Sequence, residues 1–211
     1  MRKVRLFLVI TAFLIFSGCR LQTVAPAEEK LSSAELVELK TVVPDVVLDI
    51  RYATKNNFTG KTVYPSARCF LKKDAAYALL KVQNDLKTKG FKLKVFDGYR
   101  PLSVQKIFWK IMPNPDYVAD PAKGSIHNRG YAVDLTLVTL DGKDITMPTP
   151  FDDFTPKAAA NYMDLAPEAI KNRKILQDAM TKNGFAIFPS EWWHFNYSTD
   201  KPAPVLDIDI P

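Results

Sequence analysis

The chain contains only two histidines, His127 and His194, and each lies in a polar motif. The first motif is Ser125-Ile-His-Asn-Arg-Gly-Tyr-Ala-Val-Asp134, and the second is Glu191-Trp-Trp-His-Phe195. Imidazole nitrogens suit a borderline cation such as Zn²⁺, and a carboxylate can supply the third ligand of a site whose fourth position stays open for water. If the two motifs are halves of one metal site, the fold must bring two distant segments together. This requirement constrains the architecture more than any other feature.

The amino terminus has the pattern of an export signal. A basic segment, Met1-Arg-Lys-Val-Arg5, precedes an apolar run of eleven residues from Leu6 to Phe16. Such a run is too short to span a bilayer as a helix, but it suits a signal-peptide core. It ends at Phe16-Ser-Gly-Cys19, which resembles a bacterial lipobox. Residues 1–18 are therefore predicted to be a lipoprotein signal peptide, with Cys19 as the lipidated residue. The alternative is an ordinary secretory signal with an incidental cysteine.

The rest of the chain is predicted to be a flexible tether over residues 19–30 and one folded domain over residues 31–211, a length that can bury a substantial core. We expect an exported protein, anchored by its lipid on the periplasmic side of a membrane. Arg20 replaces the Asp that is linked to inner-membrane retention, which favours the outer membrane. With Cys19 lipidated, Cys69 is the remaining thiol, so no intramolecular disulfide is expected.

The charge of the chain gives no indication of a nucleic-acid partner. The formal net charge of +6 includes three basic residues of the signal, and without them 26 basic residues face 23 acidic ones. This small excess is too weak for a nucleic-acid footprint. The sequence also contains no recognisable nucleic-acid-binding motif and no repeat. We therefore predict no nucleic-acid partner.

Hydrophobic periodicity predicts helices and strands in irregular order. The predicted helices cover residues 74–89, 103–112 and 167–183, and the predicted strands cover residues 46–52, 92–96, 131–138, 185–188 and 192–197. Regular alternation of strands and helices is missing. The prediction is a single α+β domain with an antiparallel sheet flanked by helices.

Asp134 is the candidate third ligand. Residues seven apart in a regular strand face opposite sides, so His127 and Asp134 cannot both bind a metal from one strand. Gly130 permits a loop that carries His127 and turns into the strand that carries Asp134. Ser125 can face the same cavity, either toward substrate or in support of the ligands. A solvated carboxylate on a strand face is the alternative for Asp134.

Glu191 lies three residues before His194 and can reach a metal-activated water without binding the metal itself. A carboxylate there can take the proton of that water and later give it to a leaving amine. The alternative is that the Glu-Trp-Trp-His segment is an aromatic core strand with a hydrogen-bonded histidine.

Arg100 lies in a tight loop, Phe96-Asp-Gly-Tyr-Arg-Pro101, directly after a predicted strand. A guanidinium on a rigid loop can stabilise the oxyanion of a tetrahedral intermediate or bind a substrate carboxylate through two hydrogen bonds. The alternative is a surface arginine that pairs with Asp97.

These motifs together resemble the zinc D,D-peptidases, and the match is closer to the dipeptidase branch. The resemblance runs from Leu39 to Tyr197 and adds three segments to the two histidine motifs: Tyr52-Ala-Thr-Lys-Asn-Asn-Phe-Thr-Gly60, Asp97-Gly-Tyr-Arg-Pro101 and Thr149-Pro-Phe-Asp-Asp-Phe154. The resemblance implies a zinc D,D-peptidase fold with one Zn²⁺ per subunit. It implies His127, Asp134 and His194 as zinc ligands, Glu191 as catalytic base, Arg100 as transition-state stabiliser, and Ser125 and Tyr52 as substrate-binding residues.

The implied reaction is hydrolysis of D-alanyl-D-alanine to two D-alanines. Both charged ends of so small a substrate need partners in the pocket, and Glu191 or Asp153 is hypothesised to lie near the ammonium. An exported enzyme meets its substrate outside the inner membrane, which favours a role in peptidoglycan turnover or recycling. Two alternatives stay open: a D,D-carboxypeptidase or endopeptidase that acts on stem peptides, and a non-catalytic zinc-holding lipoprotein that binds the cell wall.

Overall fold

The computed structural model of the chain describes residues 26–200 and 203–211. The predicted signal peptide, the predicted lipidation site Cys19 and residues 19–25 of the predicted tether lie outside these ranges. Helix α1, Ala27–Ser33, occupies the end of that predicted tether and buries Leu31, so the folded part begins before the predicted boundary at residue 31. Across the described ranges, we find no helix with the length and apolar character needed to cross a membrane.

A five-stranded sheet forms the centre of the fold, in the order β2-β4-β5-β7-β6. Its strands are β2 (Val47–Leu48), β4 (Phe91–Asp97), β5 (Ala132–Thr139), β6 (Phe185–Ile187) and β7 (His194–Tyr197). Adjacent strands are antiparallel, except that β2 joins β4 in parallel. A separate antiparallel pair consists of β1 (Leu36–Glu38) and β3 (Phe70–Lys72). The predicted α+β class is confirmed, while the parallel edge strand was not predicted.

The fold contains three long helices, and all three were predicted. Helix α3 spans Lys73–Lys87, α4 spans Leu102–Ile111 and α5 spans Pro167–Lys182, each within two residues of its predicted limits. A short helix, α2, spans Leu39–Val42. Helix α3 packs against β4, and α5 packs against β5 and β6. Helices α3 and α5 therefore pack on the sheet, and loops next to β4, β5 and β7 line a cavity.

The predicted strand 46–52 is mostly not a strand. Only Val47–Leu48 pairs with β4, and the following residues turn into a 3-10 helix, Arg51–Ala53. This turn buries Tyr52 against the rings of Phe108 and Phe151, at centroid distances of 4.6 and 6.0 Å. Aromatic burial of this kind outweighs the local preference of an apolar segment for extended backbone.

Residues 203–211, here called the carboxy-terminal strap, lie across the loops at the cavity end of the sheet. Leu206 accepts a hydrogen bond from the backbone of Leu102 and donates one to the backbone of Asn128, at 3.1 and 2.9 Å. The Ile208 N–H donates to the hydroxyl of Tyr99 at 2.7 Å, and that hydroxyl lies 3.0 Å from the Ile208 carbonyl. The strap thus joins the loop before α4 to the segment that carries His127.

Candidate active site and metal centre

Three side chains from separate segments meet at the end of the sheet. His127 begins a short 3-10 helix, His127–Arg129, which Gly130 ends with a φ of 75°. The chain then enters β5, and Asp134 projects from it. His194 opens β7 and lies directly opposite Asp134 in the antiparallel register. The loop that turns at Gly130 is as the sequence predicted, and neighbouring strands deliver the other two side chains.

The nitrogen and oxygen atoms of these three residues face one another at short range. His127 Nε2 lies 3.2 Å from His194 Nδ1 and 3.4 Å from Asp134 Oδ2, and His194 Nδ1 lies 3.0 Å from Asp134 Oδ1. All three side chains are buried. The arrangement offers one ligand atom from each residue to a single cation.

Neighbouring acceptors decide which ring nitrogens carry protons. His127 Nδ1 lies 2.7 Å from the carbonyl oxygen of Gly98, which can only accept a hydrogen bond, so Nδ1 is protonated and Nε2 is free. His194 Nε2 lies 2.9 Å from Asn196 Oδ1, so a neutral His194 that donates to this oxygen has Nδ1 free. Asp134 Oδ1 is buried and finds no hydrogen-bond partner among the described residues. With both rings neutral, three lone pairs converge, which is unfavourable without a cation and fits a metal site.

Without a cation, the charges of the cluster favour an anionic Asp134 and a protonated His194, and a bound metal would displace the proton from the ligating nitrogen. Burial by itself would raise the pKa of Asp134 and lower that of His194. The attraction of Asp134 to His127 and His194 outweighs burial, so the pKa of Asp134 is lowered and that of His194 is raised. Asp134 is therefore an anion, as a metal ligand must be.

Glu191 lies beside this cluster without joining it. Its Oε2 is 3.7 Å from His194 Nδ1, and only 7% of the residue is exposed. Burial raises its pKa to about 8; His194 opposes this shift, while Asp134 and Asp152 add to it. A carboxyl group whose pKa lies near neutrality can both accept and return a proton.

Arg100 is buried, so the alternative of a surface arginine is wrong, although its expected partner Asp97 is correct. The Nε and Nη2 atoms donate to Asp97 Oδ2 at 3.0 and 2.7 Å, and Nη1 donates to Gln105 Oε1 at 2.8 Å. Its Nη2 also lies 3.9 Å from Asp134 Oδ2. The guanidinium is thus held rigidly beside the candidate ligands.

Tyr52 contacts Asp152, an acidic residue that the sequence analysis did not single out. Its hydroxyl donates to Asp152 Oδ1 at 3.1 Å, and the Phe58 N–H donates to Asp152 Oδ2 at 3.3 Å. Burial, followed by the charge of Asp134, raises the pKa of Asp152 to about 7. Asp152 has a φ of 62°, a strained value for a residue with a side chain.

The hypothesised ammonium partner Asp153 is placed elsewhere. Its carboxylate accepts a hydrogen bond from the Thr155 backbone, while its neighbour Asp152 lines the cavity. The sequence offers two adjacent aspartates and no pattern that separates them. The left-handed backbone at Asp152 determines which of the two carboxylates faces the cavity. The sequence does not predict this conformation, because residues other than glycine rarely adopt it.

One cavity of about 170 Å³ joins the three candidate ligands with Glu191, Arg100, Tyr52 and Asp152. Aromatic side chains form much of its wall, among them Phe58, Phe108 and Trp193. Ser125 reaches the cavity too, and its hydroxyl oxygen accepts a hydrogen bond from the His127 N–H at 3.2 Å. The seven residues singled out from the sequence as catalytic, metal-binding or substrate-binding all line this cavity: Tyr52, Arg100, Ser125, His127, Asp134, Glu191 and His194.

The chain is similar to several known peptidases. Residues 32–207 match the family described as D-ala-D-ala dipeptidase. The D-alanyl-D-alanine dipeptidase of Escherichia coli (strain K12) is 39% identical over 174 residues, which cover 82% of this chain and 90% of that protein. The enzyme of the same name from Enterococcus faecium is 33% identical over 194 residues, which cover 82% of this chain and 96% of that protein. A solved LdcB LD-carboxypeptidase is 21% identical, with a TM-score of 0.46 over 77% of this chain and 67% of that one.

Proposed function

Since the chain belongs to the D-ala-D-ala dipeptidase family of metallopeptidases, we propose that it hydrolyses D-alanyl-D-alanine to two D-alanines and uses one zinc ion per subunit. The observation that carries the proposal is the position of Glu191. Its carboxylate lies 3.7 Å from one candidate ligand and has a raised pKa, in the same buried cavity as His127 and Asp134. A purely structural metal site has no use for such a group.

Zinc fits the three candidate ligands in kind and in spacing. Two imidazoles and one carboxylate are a familiar donor set for catalytic zinc. With zinc–ligand bonds of about 2.0–2.1 Å, tetrahedral geometry places neighbouring ligand atoms roughly 3.3 Å apart. The separations among His127, Asp134 and His194 are 3.0 to 3.4 Å. Bound there, zinc would supply Lewis-acid activation of the scissile carbonyl and of water.

Glu191 is proposed as the general base and acid. Its carboxylate takes a proton from the attacking water and returns it to the amine of the departing D-alanine. Burial keeps this group away from bulk solvent, and the raised pKa makes both transfers accessible near neutral pH. General catalysis of this kind contributes on the order of 10²- to 10⁴-fold to a rate.

Arg100 is proposed to donate to the oxygen that becomes negative in the transition state. Its hydrogen bonds to Asp97 and Gln105 fix the guanidinium before substrate arrives, so little reorganisation is needed during the reaction. The rings of Tyr52 and Phe108 lie 5.5 and 4.7 Å from its Cζ and exclude water from one side.

The charged amino end of the dipeptide requires a carboxylate inside the cavity, and Asp152 is proposed to bind it. The Tyr52 hydroxyl holds Asp152 in place by donating a hydrogen bond to it. Burial and the charge of Asp152 raise the pKa of Tyr52, so this hydroxyl stays protonated. Ser125 receives a backbone hydrogen bond at its oxygen, so its hydroxyl proton is available to the substrate. The aromatic wall behind Asp152 favours a free dipeptide over a longer peptide.

The cellular role is proposed from the amino-terminal sequence. We infer export by residues 1–18, lipidation at Cys19 and action on D,D-dipeptides released during peptidoglycan turnover, with outer-membrane anchoring favoured by Arg20. The chain should therefore incorporate labelled fatty acid and sediment with membranes, and the Cys19→Ser variant should do neither. Labelling that persists in the variant would contradict the assignment.

The catalytic proposal is tested by measuring D-alanine release from D-alanyl-D-alanine and from a pentapeptide that ends in D-alanyl-D-alanine, each with and without a chelator. Chelator-sensitive cleavage of the dipeptide alone is expected. Cleavage of the pentapeptide would instead indicate a carboxypeptidase. Zinc binding without cleavage of either substrate would indicate a non-catalytic binding protein.

A further inference from the structure

We propose that Asn196 is a positioning residue for His194: it fixes the proton on the outer ring nitrogen and thereby sets the affinity of the site for zinc. This inference rests on the zinc site proposed above. The two residues are two apart on β7, so their side chains project from the same face of the strand. On that face Asn196 Oδ1 lies 2.9 Å from His194 Nε2.

The orientation of the Asn196 amide determines which nitrogen of His194 can bind a metal. With Oδ1 toward the ring, Nε2 must carry a proton, and in the neutral ring Nδ1 then presents its lone pair to His127 and Asp134. An amide turned the other way would donate to Nε2 and place the proton on Nδ1, in the centre of the ligand cluster. The contact with Oδ1 is therefore the one that makes His194 a ligand.

The two histidines are supported by different kinds of group. His127 donates its outer proton to the backbone carbonyl of Gly98, which no substitution of a side chain removes. His194 relies on the side chain of Asn196, which is half-buried and replaceable. A partner that accepts the outer N–H fixes the ring and increases the basicity of the ligating nitrogen. Of the two groups that accept a hydrogen bond from the candidate histidine ligands, only Asn196 can therefore be changed by substitution.

Asn196 also lines the cavity, so a role in substrate binding has to be distinguished from a role toward the metal. A substrate contact would change KM without changing zinc affinity. A positioning role changes zinc affinity when no substrate is present. The decisive measurement is therefore metal affinity in the absence of dipeptide.

The experiment compares Asn196→Ala, Asn196→Asp and a control, Asn183→Ala, by zinc titration against a chromophoric chelator. Asn183 is also half-buried and hydrogen-bonded, but it lies at the end of α5. We expect zinc to bind about 10- to 100-fold more weakly to Asn196→Ala, as is usual when such a supporting group is lost. The Asn196→Asp variant keeps an acceptor and should bind zinc at least as tightly as the parent. The control should be unchanged.

Ring ¹⁵N NMR supplies an independent test, and the presence of only two histidines makes it readily assignable in the untagged protein. In the zinc-loaded protein, His194 should carry its proton on Nε2. A proton on Nδ1, or undiminished zinc affinity in Asn196→Ala, would overturn the inference. Loss of affinity in both Asn196 variants would overturn it too, since Asp retains the acceptor. If the parent protein fails to bind zinc, both this inference and the proposed function are overturned. If zinc binding depends on Asn196 but the dipeptide is not cleaved, only the proposed function is overturned.

Discussion

Asp134 and His194 are directly opposed across β5 and β7, and Asp134 Oδ1 lies 3.0 Å from His194 Nδ1. The pairing of the two strands brings these residues together without help from a flexible loop. The geometry of two candidate ligands is therefore as rigid as the sheet itself. A cation bound between them would link the two strands.

Removal of bound metal should consequently destabilise the fold. Ligand binding to the folded state contributes about 2.7 kcal/mol when the free ligand is at 100 times its Kd. For a domain of this size we expect chelation to lower Tm by roughly 5–10 °C. Calorimetry with and without a chelator measures the shift. The Asp134→Asn/His194→Gln double variant should melt at one temperature under both conditions, and a chelator effect in that variant would point to another metal site.

The Glu191→Gln variant should lose most of its activity and keep its metal. The amide has nearly the same shape but cannot accept the proton of water, so kcat should fall by about 10²- to 10⁴-fold. Steady-state kinetics and metal analysis on the same preparation give the result. A variant with parental kcat would exclude Glu191 as the base.

The Asp152→Asn variant should bind the dipeptide poorly, because a charge-assisted partner of the ammonium is lost. A hydrogen bond to a charged group contributes about 1.5–3 kcal/mol, which corresponds to a roughly 10- to 100-fold lower kcat/KM. The adjacent Asp153→Asn substitution is the matched control, since Asp153 bonds to its own loop. Equal losses in both variants would contradict the assignment of Asp152.

Acidic pH should weaken substrate binding through protonation of Asp152. Burial, and then the charge of Asp134, raise the pKa of Asp152 to about 7, so the carboxylate that binds the ammonium is lost as the pH falls through this value. A cation at Asp134 reduces the second contribution, which places the midpoint at or below 7. We expect KM to rise on the acidic side and this rise to disappear in Asp152→Asn. The pH profile of KM for both proteins decides the point.

The Arg100→Lys variant should be a poor enzyme despite its retained charge. A lysine ammonium cannot reproduce the guanidinium geometry that lets Arg100 donate to Asp97 and to Gln105 at the same time. The donor proposed for the oxyanion would therefore be displaced. We expect kcat to fall about 10²- to 10³-fold. The control is Arg51→Lys, which alters a pair with Asp49 outside the active cavity. A parental kcat in Arg100→Lys would show that charge alone suffices.

The sequence predicted most of the cavity because local chemistry marks it. Two histidines near carboxylates and a glycine that permits a turn limited the arrangements that His127 and Asp134 could adopt, and the structure has that turn. Long helices such as α3 and α5 were predicted nearly in full, because their apolar residues recur at helical spacing over several turns.

The features that were not predicted depend on contacts and backbone conformations that hydrophobic periodicity and motifs do not specify. Tyr52 leaves the extended conformation because rings from elsewhere in the chain surround it. Arg100 is buried because Gln105 accepts a hydrogen bond from it in addition to Asp97, and the sequence predicted only the contact with Asp97. Asp152 faces the cavity because its backbone is left-handed, and no sequence pattern predicts this conformation. Asn196 was not predicted to contact His194, although alternation along β7 places the two side chains on one face.

The carboxy-terminal strap has a consequence for the order in which the protein becomes active. Synthesis produces His127 and Asp134 first, then His194, and finally residues 203–211, whose backbone bonds to Asn128 and whose contacts reach Tyr99. A nascent chain that has completed α5 already contains Arg100 and two of the three candidate ligands. It still lacks both the third ligand and the segment that joins their loops. The contacts that join these loops thus form only after residues 203–211 emerge, and a product that terminates after α5 would lack the strap as well as Glu191 and His194.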